Sequence, residues 1–306
     1  MARRHGRHKN RSTAGPAGFA GLEAAWESAG SSEPSDSQAA ESRSAEDASE
    51  QAAPSHQSAG EFEVLAASIL ASPDEALSLL ERAEILSYQV VPAGTNYTFA
   101  AVLSSGGGRF LGIYKPQRGE RPLWDFPRGL HQRERAAYLA ARFLGWPNVP
   151  PTMVRDGPLG VGMLQLYVPT MERWDFAELQ RQHRREMLEI ALFDLLANNA
   201  DRKAGHCLLG TDGKVWAIDH GLTFHADPKL RTVLWDYCGE PVPRRLFDDL
   251  ESLRDDPARR EAFRALLAPY LSHAEMQALF RRLEAILRAG RYPHLDPERN
   301  IPWPLV

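Results

Sequence analysis

Several things are scarce in this chain, and each scarcity excludes something. Two cysteines, Cys207 and Cys238, stand among 306 residues. That is too few for a disulfide framework and suits a reducing compartment. No apolar run approaches the length needed to span a bilayer. The start, MARRHGRHKNR, has the charge of a secretion signal but lacks the hydrophobic segment that should follow. The sequence therefore reads as cytoplasmic, with no membrane insertion. Excess positive charge is missing too: 36 Lys and Arg face 40 Asp and Glu, a formal net charge of -4. Stable nucleic-acid binding by the molecule as a whole is not expected from that balance.

Large apolar side chains are nearly absent from residues 1–60. Five Lys or Arg fall in the first eleven positions, and SSEPSDSQAAESRSAEDASEQAAPSHQSAG follows from 31 to 60. Such a segment buries too little surface to offset its ordering entropy, so a disordered tail is expected. Its basic head reads as solvated, with contact to an anionic surface or nucleic acid as the alternative. The folded domain is expected over 61–306.

From there the patterns alternate. Helical spacing is seen at 73–83, and strands are read at 86–91, 97–103 and 109–115, with PAGTN and SSGGG as the turns between them. A helix at 130–144 carries Ala136, Ala137, Leu139, Ala140, Phe143 and Leu144 on one side. Another apolar strand covers 161–168. Helices then dominate, at 184–197, 244–253, 259–270 and 273–289, the last opened by Ser272 and Glu275 in a capping-box arrangement. A strand-rich half followed by a helical half predicts an α+β fold with a cleft between two lobes, divided near residue 168.

Polar residues gather at the ends of these elements. The third strand leaves through GIYKP, which puts Lys115 at its exit, and Glu134 lies early in the next helix. Behind the helix MLEIALFDLLANN comes ANNADRKAGHCLL, with Asp201, Arg202, Lys203 and His206 in a loop. A carboxylate so placed is either a turn former or a general base for a hydroxyl, with Arg202 or Lys203 balancing phosphate charge. The strand VWAI then runs into Asp219, a hard oxygen ligand of the kind a nucleotide-bound Mg²⁺ requires.

The run D-R-x-x-x-(N/H) followed by I-D-x-G resembles the catalytic and metal motifs of phosphatidylinositol 3- and 4-kinases, within the wider protein-kinase-like superfamily. NNADRKAGH, IDHG and LRTVLWD most resemble a bacterial family distantly related to those lipid kinases. The resemblance covers about residues 86–240. It implies a two-lobed protein-kinase-like fold that binds ATP with Mg²⁺ or Mn²⁺. Asp201 falls at the acceptor hydroxyl, with Arg202 and Lys203 beside it. Asp219 and His206 fall on the metal, and Lys115 and Glu134 on the phosphate lysine and its partner. Gly94, Thr95 and Asn96 take the phosphate loop, and Gln165 and Tyr167 complete the nucleotide set. This sequence departs from the pattern in having His206 for asparagine, His220 for phenylalanine, and a single glycine in PAGTNYT.

Two functional classes follow. One is an ATP-dependent phosphotransferase whose hydroxyl acceptor lies on a protein, a small molecule or a phosphoinositide. The other is a pseudokinase, a nucleotide-responsive module without turnover. A zinc site built from His206, Cys207, His220, His225 and Cys238 has suitable residue types, but no pair shows the tight spacing of structural zinc.

Removal of residues 1–60 should leave the melting temperature almost unchanged, as read by scanning calorimetry on the full and shortened chains. A fall of many degrees would mean that the tail packs on the domain.

Overall fold

A computed structural model describes residues 72–91, 96–105, 108–171 and 174–302. The phosphate-loop positions Gly94 and Thr95, and the expected tail at 1–60, lie outside the described residues.

Helix α1 (Pro73–Arg82) opens with proline at its first position and acids in its first turn, where the missing N–H costs nothing and the helix dipole favours negative charge. It leads into a five-stranded antiparallel sheet made of β1 (Glu84–Val90), β2 (Phe99–Ser105), β3 (Gly108–Pro116), β4 (Thr152–Gly157) and β5 (Gly160–Leu166). Spatial order is β1-β2-β3-β5-β4. In the β3–β5 register Lys115 faces Met163. One face of the sheet buries Phe99, Ala101, Leu103, Phe110, Tyr114 and Leu164 against α1 and Trp216.

Helix α2 (Leu130–Leu144) runs between Gly129 and Gly145, both in the left-handed conformation at φ 96 and 81, which glycine adopts without a Cβ penalty. The helix lies against β4 and β5, but its Ala136-to-Leu144 face is not confined to the sheet. It joins the core of the helical lobe, formed by α3 (Phe176–Gln182), α4 (Arg184–Ala197), α5 (Arg244–Asp255), α6 (Pro257–Leu267) and α7 (His273–Ala289). A small hairpin, β6 (Cys207–Leu209) and β7 (Val215–Ala217), lies between the lobes. The architecture is the expected two-lobed α+β arrangement, with a strand-rich N-lobe and a helical C-lobe. Among the described residues no helix is long and apolar enough to cross a membrane.

Most elements match their sequence patterns, and the differences have local causes. Strand β4 (TMVRDG) carries Arg155 and Asp156 and shows no apolar alternation. Helix α3 is a short polar piece started by Asp175, whose side chain accepts from the Glu178 N–H at 2.9 Å. Helices α5 and α6 are divided by Asp256, which caps α6 while Pro257 takes its first position.

An ion pair fastens α2 to the C-lobe. Arg133 is 4% exposed; its Nε donates to the Thr223 carbonyl at 3.0 Å, and its guanidinium pairs with Glu275. Glu275 also completes the α7 capping box by accepting from the Ser272 N–H at 2.8 Å. Burial lowers the Arg133 pKa, and Glu275 counters that. Truncating one partner of a buried pair strands the other charge. Glu275→Ala should therefore cost about 3–5 kcal/mol in urea unfolding, and a cost under about 1 kcal/mol would rank the pair with surface ion pairs.

Candidate active site

Lys115 leaves β3 at the mouth of the cleft and meets two carboxylates from different parts of the chain. Its Nζ lies 2.8 Å from Glu134 Oε1 on α2 and 3.0 Å from Asp219 Oδ1 after β7. Glu134 is 2% exposed, and its second oxygen accepts from the His220 N–H at 2.9 Å. Burial works against the charge on Lys115, but Asp219 and Glu134 outweigh it and raise its pKa. Burial likewise pushes Asp219 up, yet Lys115 and then His206 prevail and hold that carboxylate far below its usual range. Asp219 sits at φ 58, a left-handed backbone that a non-glycine residue adopts at some cost and that recurs at functional sites.

The loop after α4 is set by buried hydrogen bonds. Helix α4 stops at Asn198, also left-handed at φ 54. Next, Asn199 donates from Nδ2 to Asp194 Oδ1 at 2.8 Å and accepts the Asp201 N–H on Oδ1 at 3.0 Å. Asp201 pairs with Lys203 at 3.2 Å. Burial, aided by Asp219 and opposed by Lys203, raises its carboxyl pKa to about 6. Asp201, Asp219, Lys115 and Glu134 line one cavity, together with Asn96, Tyr97, Glu120 and His131.

Arg202 is a correction to the sequence reading. It was expected beside Asp201 as a cation facing phosphate, but it is 0% exposed and turned into the protein. Its Nε and Nη2 grip both oxygens of Asp194 at 2.8 and 3.0 Å. Its Nη1 donates to the carbonyls of His206 and Ile218 at 3.1 and 2.8 Å. Nη2 also approaches His220 Nε2 at 2.9 Å. Since guanidinium only donates, that ring nitrogen accepts and the proton resides on Nδ1. His220 is 0% exposed, and burial, reinforced by Arg202, pushes its pKa well down, so the ring is neutral.

His206 has a tautomer fixed by the same kind of reasoning. Its Nδ1 meets the Asp201 carbonyl oxygen at 2.9 Å and, more distantly, the Lys203 N–H at 3.5 Å; the closer partner can only accept, so Nδ1 carries the proton. Burial lowers its pKa to about 4. The neutral ring therefore turns a bare Nε2 toward Asp219 Oδ2, 3.4 Å away. Two acceptors facing each other at that distance fit a shared cation. They are two ligands only: among the described residues no three His, Cys, Asp or Glu side chains form a metal-binding group. The five residues of the zinc alternative make no such group either.

The remaining expected residues divide. Asn96 lines the cavity, and its Oδ1 accepts from the Arg121 N–H at 2.9 Å. Gln165 and Tyr167 are not among the residues lining it. Gln165 is buried, with its amide donating to Thr152 Oγ1 at 2.7 Å. Tyr167 lies just past β5, and its N–H donates to the Leu111 carbonyl at 3.1 Å. The sequence reading missed three contributors. Asp194 anchors Arg202, and the available signal was an acid inside the apolar run LEIALFDLLA. Glu120 and His131 meet at 2.6 Å on the cavity wall. They come from a loop and a helix start with no periodicity to point to them.

No family model matches the chain. It is 36% identical over 267 residues to protein Rv2133c of Mycobacterium tuberculosis (strain ATCC 25618 / H37Rv), covering 76% of this chain and 95% of that protein. Among solved structures it is similar to hydra Fam20, determined with sugar, at a TM-score of 0.50 and 14% identity over 71% of this chain and 87% of that one. The Golgi casein kinase with Mn/ADP bound gives a TM-score of 0.48 and 16% identity over 71% and 75%. The fold is thus protein-kinase-like, and by its identity with Rv2133c along nearly the whole of that protein, the chain belongs to the Rv2133c family.

Proposed function

We propose that this protein is an ATP-dependent phosphotransferase that moves the γ-phosphate to a hydroxyl acceptor. One observation carries the reading: Lys115 pairs at once with Glu134 and Asp219, at 2.8 and 3.0 Å, on the wall of the cavity that Asp201 also lines. A purely structural lysine needs one carboxylate. Two, drawn from separate elements and opposite Asp201, form a charge arrangement suited to a polyphosphate and its metal.

In this reading Lys115 holds the nucleotide phosphates, and Glu134 keeps the ammonium aimed into the cleft. Asp219 and His206 hold the divalent cation, which when bound supplies charge neutralisation at the phosphates. Asp201 takes the proton of the acceptor hydroxyl. Lys203, tied to Asp201 at 3.2 Å, supplies the positive charge that Arg202, turned inward, does not. The nitrogen of His206 favours Mn²⁺ over Mg²⁺, because Mg²⁺ prefers oxygen. The likeness to phosphatidylinositol 3- and 4-kinases rests on the D-R-x-x-x-(N/H) and I-D-x-G motifs. A phosphoinositide acceptor is disfavoured by Asp227, Asp236 and Glu240 in the segment after Asp219.

A second reading, a pseudokinase that binds nucleotide without turnover, is favoured by His206 at the asparagine position and by the single glycine of PAGTNYT. Calorimetry with ATP and metal, paired with a turnover assay, separates the two. Asp219→Ala should abolish metal-dependent nucleotide binding. Asp201→Ala should spare binding and lower turnover by about 10²–10⁴-fold. His206→Asn should narrow the difference between Mn²⁺ and Mg²⁺. Wild-type nucleotide binding with no phosphate release or transfer would select the pseudokinase, and equal loss of binding in both aspartate variants would refute the division of roles.

A further inference from the structure

Between β3 and α2 the chain makes a long excursion, residues 117–129, beside the cleft. It begins on the cavity wall with Glu120. Its far end is tied to the segment that flanks Asp201: Asp125 Oδ2 accepts from Lys229 at 3.2 Å and Arg231 at 3.5 Å. Arg231 in turn exchanges backbone bonds with the catalytic loop, its N–H with the Asn199 carbonyl and its carbonyl with the Arg202 N–H. This loop therefore borders the acceptor side of the cleft.

Its charges are sorted in an unusual way. Both acids point inward, Glu120 onto the N–H groups of Gly129 and His131 and onto the His131 ring, Asp125 onto Lys229 and Arg231. Its three arginines, Arg118, Arg121 and Arg128, are all exposed, and none has an ion-pair partner among the described residues. Trp124 stands between them, 96% exposed, with Lys229 Nζ 5.8 Å from its ring centroid. A nearly bare tryptophan, flanked along one loop by three exposed arginines without ion-pair partners among the described residues, suits a polyanionic occupant, in a protein whose net charge is -4.

The chain itself contains such a polyanion. Residues 31–58 hold six acids, one arginine and nine serines. The reach also suffices. Asp74, at the start of α1, pairs with Arg142 in the last turn of α2. From Arg142 back to Leu130, beside the loop, is about 18 Å at helical rise. Residues 59–72 can span about 45–50 Å when extended.

We propose that the loop 117–129 is the acceptor-docking element of the cleft and that it takes the protein's own acidic, serine-rich segment 31–58, which is phosphorylated there in cis. The proposal rests on the phosphotransferase reading for its chemistry. A serine oxygen forms a bond to the γ-phosphorus of ATP, and the bond from that phosphorus to the β–γ bridging oxygen breaks. ADP leaves with the electron pair, and the hydroxyl proton passes to Asp201. Attraction to Arg118, Arg121 and Arg128 brings the segment to the cleft, and Trp124 supplies a flat face against which it rests.

The test uses the full chain with a photoreactive residue, Trp124→p-benzoylphenylalanine, and a parallel incubation of wild type with ATP and Mn²⁺. Adducts should map within 31–58 and fall about tenfold when salt is raised to about 1 M, where screening reaches only about 3 Å. Phosphate should appear on serines of the same segment at a rate independent of protein concentration. The triple variant Arg118→Glu, Arg121→Glu, Arg128→Glu should lose both signals at least tenfold, with nucleotide affinity on the same sample excluding a folding defect. Adducts elsewhere, or on co-purified nucleic acid, would overturn the docking. Adducts in 31–58 on a protein that turns over ATP but leaves those serines unmodified would overturn the acceptor role. Absence of nucleotide binding in wild type would instead bring down the phosphotransferase reading, and the adduct map would still decide the docking.

Discussion

Arg202 ties together the pieces of chain that carry Asp201, His206 and Asp219. Its guanidinium is sealed from water, and four of its contacts come from different pieces of chain: Asp194 on α4, the carbonyls of His206 and Ile218, and the ring of His220. Asp201 lies one residue before it, His206 four residues after, and Asp219 follows Ile218 directly. A buried bidentate pair with all its donors engaged is rigid, because any slackening exposes an uncompensated charge. The separation of Asp201 and Asp219 across the cavity is therefore a property of one internal side chain and is insulated from the solvent that fills the cleft.

A second constraint acts on Glu134. In a kinase-like fold the helix carrying this residue is the element expected to move. Here α2 shares a continuous apolar core with α4 and the C-terminal helices, and Arg133, next to Glu134, is pinned to Glu275 and the Thr223 carbonyl. Moving Glu134 away from Lys115 would mean breaking into that core, where close packing resists gradual deformation. The acid is thus preset against its lysine.

What could be read in the sequence was what depends on local pattern. The helix periods, the β3 exit at Lys115, the capping box at Ser272 and the D-R-x-x-x-(N/H) and I-D-x-G spacing each lie within a few adjacent residues. The direction of a side chain depends on the partner it finds. Arg202 and Lys203 are neighbours with the same charge, yet one is sealed inside and the other faces Asp201, because only Arg202 can reach Asp194 eight positions earlier with a planar fork. The partner of Gln165 was hidden for a related reason: its amide finds Thr152 on β4, a strand whose TMVRDG sequence gave no alternation to recognise. Glu120 and His131 meet only once the loop has folded back on the start of α2, a pairing that no periodicity encodes.

The segment from His225 to Val233 is held without outside help. Asn198 clasps it through the His225 and Asp227 carbonyls and the Lys229 N–H. Backbone bonds tie Arg231 and Val233 to the loop that carries Asp201, and Thr232 to Asn300. Kinase-like proteins that order this region by phosphorylation need a free guanidinium to receive the new charge. Arg202 already has Asp194. A phosphate added to this segment would find no vacancy at Arg202, and the segment would gain no order it does not already have. Among the described residues this segment is already tied on both sides, so what reaches the cleft matters more to it than a new charge placed on it.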